Sequence, residues 1–186
     1  MITRLVTAPL AEPVVLADVK SHVRIDSDVD DPLIERYIRT SRIECEQIAR
    51  RAFMPQTWDL VLDCWPCEDV IELPYPPLQS VTSITYIDSI GVTHTVANSN
   101  YIVDVDAEPG RVFLAYGKCW PTATLQPRSA IRVRYVAGYA DAASVPETYK
   151  TYVMWGVGQL YENRGDADFS LSGRLVSALM MDRGSW

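Results

Sequence analysis

The sequence predicts an α+β fold: a helical body, in which a long N-terminal helix packs on a C-terminal helix, with a small antiparallel β-domain inserted and a tail at the end. Three observations carry this. Apolar residues recur at helical spacing between residues 32 and 52. They alternate with polar ones in short stretches from Trp58 to Val136. A second helical stretch, apolar nearly all round, opens at Ser144 and runs to about Glu162. The expected divisions are residues 1–56 as N-terminal helical part, 57–140 as inserted β-domain, 141–165 as the helix completing the body, and 166–186 as a docking segment.

In the first part, residues 16–24 form a short helix with Leu16, Val19 and Val23 on one side. Asp26, Asp28 and Asp30 supply cap-type residues, and Pro32 suits a first helical turn, where its missing N–H costs nothing. The long helix then carries Ile34, Ile38, Cys45, Ile48 and Ala49 on one stripe, with Glu35, Arg39, Arg42, Glu46 and Arg50 on its wet faces. The aspartates have calcium-loop spacing, but Asp31-Pro32 stands where that loop needs its glycine.

After Pro55 the period becomes two. Trp58, Leu60 and Leu62 alternate with Asp59, Val61 and Asp63. Further strands are expected at residues 81–88, 92–96, 101–104, 111–115 and 131–136, six in all, forming one small sheet or barrel. Pro74, Pro76 and Pro77 interrupt. Ser144 with Glu147 three residues on reads as a capping box opening the second helix. Trp155 is expected to be buried there, so that Trp155→Ala would cost about 3–5 kcal/mol.

The net charge of -7 argues against a protein that grips nucleic acid. The charge is unevenly spread. Residues 57–110 hold nine acids and no Lys or Arg, while residues 1–56 carry a net -1 and 111–186 a net +3. Asp59, Asp63, Glu68, Asp69 and Glu72 make up the candidate acidic surface, either a solvated face or one that repels nucleic acid or meets a basic partner. No apolar run reaches the roughly 18 residues of a membrane helix, and no signal-peptide stretch opens the chain, so a soluble cytoplasmic product without a membrane partner is expected.

Reactive centres are not expected either. Cys64-Trp65-Pro66-Cys67 has redox-motif spacing, but the residues after it run into prolines instead of the helix that would lower a thiol pKa. Zinc would need ligands gathered from Cys64, Cys67, His94 and Cys119. Nucleophile-elbow, phosphate-loop and His-Glu-x-x-His motifs are lacking, so no enzyme, metal or cofactor is expected. Beyond a polar hinge at residues 163–168, Leu171, Leu175, Val176, Leu179 and Met180 form an amphipathic segment ending at Trp186. It either folds back onto its own core or docks on another subunit, and docking is the reading taken.

The order of several pieces carries a family resemblance: Asp30-Asp31-Pro32-Leu33-Ile34-Glu35, Gln56-Thr57-Trp58-Asp59-Leu60, Leu73-Pro74-Tyr75-Pro76-Pro77, Glu108-Pro109-Gly110-Arg111, Trp120-Pro121, Val133-Arg134-Tyr135-Val136-Ala137-Gly138-Tyr139, Val145-Pro146 and Leu160-Tyr161-Glu162-Asn163-Arg164. Over residues 10–165 the chain resembles the head–tail connector (adaptor) proteins of tailed bacteriophages, in the branch described as phi-E125 gp8-like or gp6-like. The resemblance implies a dodecameric ring of this chain in the virion, assembled in the host cytoplasm. The ring would sit between the portal protein and a stopper or tail-side neck protein, and DNA would pass through its channel without sequence-specific binding. It further implies portal docking by the C-terminal segment, for which Leu171, Arg174, Leu175, Leu179, Met180, Met181, Arg183 and Trp186 are the candidates. Ile34, Ile38, Tyr152, Trp155 and Tyr161 are the candidates for helix packing or a ring interface. Two alternatives fit the same features: another neck protein (stopper or tail terminator), or a ligand-binding β-domain protein with helical flanks.

Overall fold

The computed structural model describes residues 1–164 and 173–181. It is an α+β structure of two compact units: Met1–Pro9 with Pro55–Gly138, and Leu10–Met54 with the described residues from Tyr139 onward.

The helical unit contains α1 (Leu16–Val23), α2 (Asp31–Ala49), α3 (Glu147–Glu162) and α4 (Gly173–Met181). Ile34, Ile38, Cys45 and Ala49 of α2 face Tyr149, Val153 and Val157 of α3, and Leu175 and Leu179 of α4 complete the same core. Phe53 stacks on Tyr149 with ring centroids 4.7 Å apart. Ser41 Oγ donates to the Val153 carbonyl at 2.8 Å, tying α2 to α3 by a buried hydrogen bond. Burial pushes the Cys45 thiol up to about 12, so this cysteine is a small apolar core residue.

Three expectations for this unit are corrected. Arg42 and Glu46 are buried, not wet. Arg42 Nε donates to Glu12 at 2.7 Å and Nη1 to Glu46 at 2.7 Å, while Glu46 also accepts from the Phe53 N–H at 2.8 Å. Charges enter a core when their partners enter too. Secondly, the aspartates before α2 do not cap it through their side chains. Asp28 and Asp31 accept from Lys20 at 2.6 and 2.7 Å, and Asp30 accepts from the Tyr161 hydroxyl at 2.6 Å. Finally, Ser144 is not a cap: α3 begins at Glu147 with Pro146 before it, and Ser144 Oγ donates instead to Asp141 at 2.7 Å.

Among the described residues the other unit has eight strands in two sheets, where the sequence predicts six in one. Strands β1 (Ile2–Thr7), β2 (Gln56–Leu62), β8 (Ile131–Ala137), β4 (Leu78–Ile87) and β5 (Thr93–Thr95) form an antiparallel sheet in that order. Strands β3 (Val70–Leu73), β7 (Gly110–Leu114) and β6 (Tyr101–Asp104) form a second. β1 stands where a helical part is expected. Its side chains are mostly exposed, so no apolar alternation marks it, and its partner β2 lies far along the chain. β3 is four residues long, cut off by Pro74.

Leu60 of β2, Val133 of β8 and Ile84 of β4 lie side by side and are fully buried, as the alternation requires. Tyr135 on that inner face donates its hydroxyl to the Pro74 carbonyl at 2.9 Å, and burial raises its pKa. Gly110 opens β7 where the backbone nearly touches Leu78: a Cβ there would lie 2.4 Å from the Leu78 Cβ.

Candidate docking surfaces

The acidic candidates do not form one face. Asp59 is only 4% exposed. Its strand neighbours across the register are Arg4 and Arg134; Arg134 Nε and Nη2 donate to it at 2.8 and 2.9 Å, and Arg132 Nε lies at 3.6 Å. An acid on the outer face of a strand is covered when the adjoining strands place arginines beside it. Asp59 therefore displays no charge, which corrects its expected place on an acidic surface. Asp63 is exposed and accepts from the Ser129 N–H at 2.6 Å. Glu72 is exposed with Arg111 at 3.4 Å. Glu68 and Asp69 are exposed, and neither side chain has an ion-pair partner among the described residues. Glu68 and Glu72 stand at a cavity of about 370 Å³ whose other walls include Leu60, Leu62, Val70, Ile71 and Pro109.

The Cys-Trp-Pro-Cys segment has a packing role. Trp65 stacks on Trp120 at 4.8 Å and meets the edge of Tyr86 at 5.9 Å, while Tyr86 stacks on His94 at 5.0 Å. His94 Nε2 shares a hydrogen bond with Asp88 at 2.7 Å. Cys64, Cys67 and Cys119 are exposed thiols, and no three metal-ligating side chains gather among the described residues. None of the described helices is long and apolar enough to cross a membrane.

Of the helix candidates, Ile34 and Ile38 are buried within the unit's own core. Trp155 is 37% exposed, contrary to the buried side chain the sequence predicts, because α3 buries one stripe (Tyr149, Val153, Gly156, Val157) and leaves the opposite side uncovered. Tyr152 is half-buried between Tyr149 and Trp155, with ring centroids at 6.5 and 5.9 Å. Tyr161 is half-buried; its pKa is raised, first because its hydroxyl donates to Asp30, and Arg164 lies 4.3 Å over its ring.

The C-terminal candidates divide. Leu175 and Leu179 fold back into their own core, so docking on another subunit does not account for them. Arg174, Met180 and Met181 are exposed on the other side of α4, Met181 at 86%. Leu171, Arg183 and Trp186 lie outside the described residues. Sequence reasoning missed a further feature on α2. Arg36, Arg39, Ile43 and Gln47 are all exposed, and at 100° per residue they fall within about 80° of arc.

Residues 13–93 match the family of phage gp6-like head-tail connector proteins. The match spans under half of the chain. It is shorter than the 10–165 span of the resemblance and runs from just before α1 into β5. No curated protein matches the chain.

Among solved structures, this chain is similar over its whole length to a chain in the neck of an empty GTA particle computed with C6 symmetry. The TM-score is 0.82 at 24% identity, covering 97% of that chain. Chains from the virion of a native gene transfer agent (GTA) particle, and from the neck of a native GTA particle computed with C12 symmetry, each match with TM-score 0.80 at 22% identity. Each match covers all of this chain and 97% of the other. At these identities the likeness establishes the fold alone.

Proposed function

We propose that this chain is a structural connector at the head–tail junction of a phage-type particle. In this reading, copies of it form a dodecameric ring around a channel for DNA. The outer face of α4 meets the portal protein, and a stopper or tail-side neck protein meets the opposite side. The observation that carries the reading is the match of the entire chain, at TM-score 0.80, to a chain of a neck computed with C12 symmetry. The gp6-like family match over residues 13–93 supports it independently.

The chemistry agrees with passage rather than capture of DNA. The chain is acidic overall, and exposed carboxylates such as Asp63 and Asp69 repel a phosphate backbone. The role needs no catalysis and no cofactor. Particle location and assembly in the host cytoplasm follow from the same reading. Arg174, Met180 and Met181 form the portal-facing patch, since adaptable methionines beside an arginine suit a contact that must fit a shaped pocket. Leu171, Arg183 and Trp186 join them by sequence alone.

Native mass spectrometry of the full chain, alone and mixed with portal protein, tests this. A closed multi-copy ring and a ring–portal complex are expected. Met180→Glu with Met181→Glu should abolish the portal complex and leave the ring. Substitution is the right tool because deleting the segment would also remove Leu175 and Leu179 from the core. A chain that stays solitary at every concentration and ignores portal would overturn the reading.

A further inference from the structure

The β unit has an apolar cavity with acids at its rim, and the helical unit has an exposed basic stripe with an aliphatic side chain in it. We propose that these are the two halves of one contact: the stripe Arg36–Arg39–Ile43 on α2 of one copy seats on the cavity bounded by Glu68 and Glu72 of a second copy. This rests on the reading of the chain as a ring subunit, and it names the surfaces that make the ring.

Three features of the cavity define what it accepts. Its volume of about 370 Å³ is that of a side-chain cluster, and its walls from β2 and β3 (Leu60, Leu62, Val70, Ile71) are apolar. Glu68 has no cation partner among the described residues, whereas Glu72 already has Arg111 at 3.4 Å, so Glu68 is the rim acid left for a basic side chain of the occupant. The occupant is therefore apolar at its centre and basic at its edge.

The stripe on α2 has that composition. Ile43 is 44% exposed in the middle of a helix whose other large aliphatics are mostly turned inward. Arg39 lies one turn before it on the same face and Arg36 one turn earlier, both exposed and without ion-pair partners among the described residues. An isoleucine inserted into the cavity would place Arg39 at its mouth, within reach of Glu68. A patch meeting a different patch on the next copy is a heterologous contact, the kind that closes rings when the rotation permits. Duplex DNA, the other natural partner of an arginine row, gives no reason for an exposed isoleucine in its centre.

The chain carries its own probe for this contact. Cys67 is an exposed thiol between Pro66 and Glu68, both of which line the cavity. In full-length Ile43→Cys protein, a short bismaleimide should yield a ladder of covalently linked copies. The ladder should vanish when Cys64→Ser and Cys67→Ser are added and survive Cys119→Ser. In parallel, Arg36→Glu with Arg39→Glu should weaken self-association roughly tenfold or more, as for close interfacial charge pairs, and Glu68→Arg should restore part of it. All these positions are exposed, so the variants keep the fold.

Absence of the ladder, with ring formation untouched by charge reversal, would overturn this contact and leave the ring reading standing. Loss of duplex DNA binding in Arg36→Glu/Arg39→Glu with unchanged ring size would overturn it in favour of nucleic acid. A wild-type chain that never self-associates would overturn both.

Discussion

Asp59 is held by Arg134 through two hydrogen bonds, with Arg132 at 3.6 Å as a weaker neighbour. Removing Arg134 leaves a buried carboxylate with poor compensation, and bonds to charged groups carry about 1.5–3 kcal/mol. Arg134→Ala should lower the unfolding free energy by that amount in urea titration, despite removing a side chain that is itself well exposed. Glu44 is the opposite case. One of its carboxylate oxygens is buried without a hydrogen-bond partner among the described residues, and desolvation raises its pKa. A carboxyl whose folded pKa exceeds its unfolded one binds more protons when folded, so the protein loses stability as pH rises through that window. Glu44→Gln should therefore raise Tm at pH 7, and the gain should disappear at pH values below the ordinary glutamate range. Neither behaviour was legible in the sequence. A helical wheel places Arg42 and Glu46 in water, and only the fold brings Glu12 to Arg42; the arginines around Asp59 likewise come from strands remote in the chain.

At the scale of elements, the strong periodicities were readable: α1, α2, α3 and the strands β2, β4, β5, β6, β7 and β8 stand close to where the apolar spacing puts them. What escaped were elements whose justification is non-local. β1 has almost no buried side chain, and β3 is too short to show a period. The same cause explains Trp155: apolar residues all round α3 indicate that it is covered, but not on which side or by which molecule. Gly110 has another non-local reason. An alanine there would put its Cβ 2.4 Å from the Leu78 Cβ, a separation that rotamer changes cannot relieve. Gly110→Ala should destabilise the protein by about 1–3 kcal/mol or more through forced backbone shifts. Leu78→Ala should fail to rescue it, because the opposing atom is retained.

At the scale of the whole molecule, two hydrophobic cores are built from interleaved segments: among the described residues the chain enters the sheet unit with β1, leaves it for α1 and α2, returns for seven strands, and then forms α3 and α4. Leu179 is fully buried in the helical core with Ile34 and Val153 as co-members, while Gly110 abuts Leu78 in the sheet unit. Leu179→Ala should cost about 2–5 kcal/mol, as for other buried leucines, whereas Met181→Ala on the exposed side of α4 should stay within about 0.5 kcal/mol. The double variant Leu179→Ala/Gly110→Ala then reports on how the units communicate. Substitutions that share no partner add to within about 0.3–0.5 kcal/mol, and that is the expected result in denaturant titrations of the two single variants and the double. A coupling energy above that range would mean that strain in the sheet is felt in the helical core. The exposed residues of α4 and the acid-rimmed cavity would then respond as one system rather than as two independent surfaces.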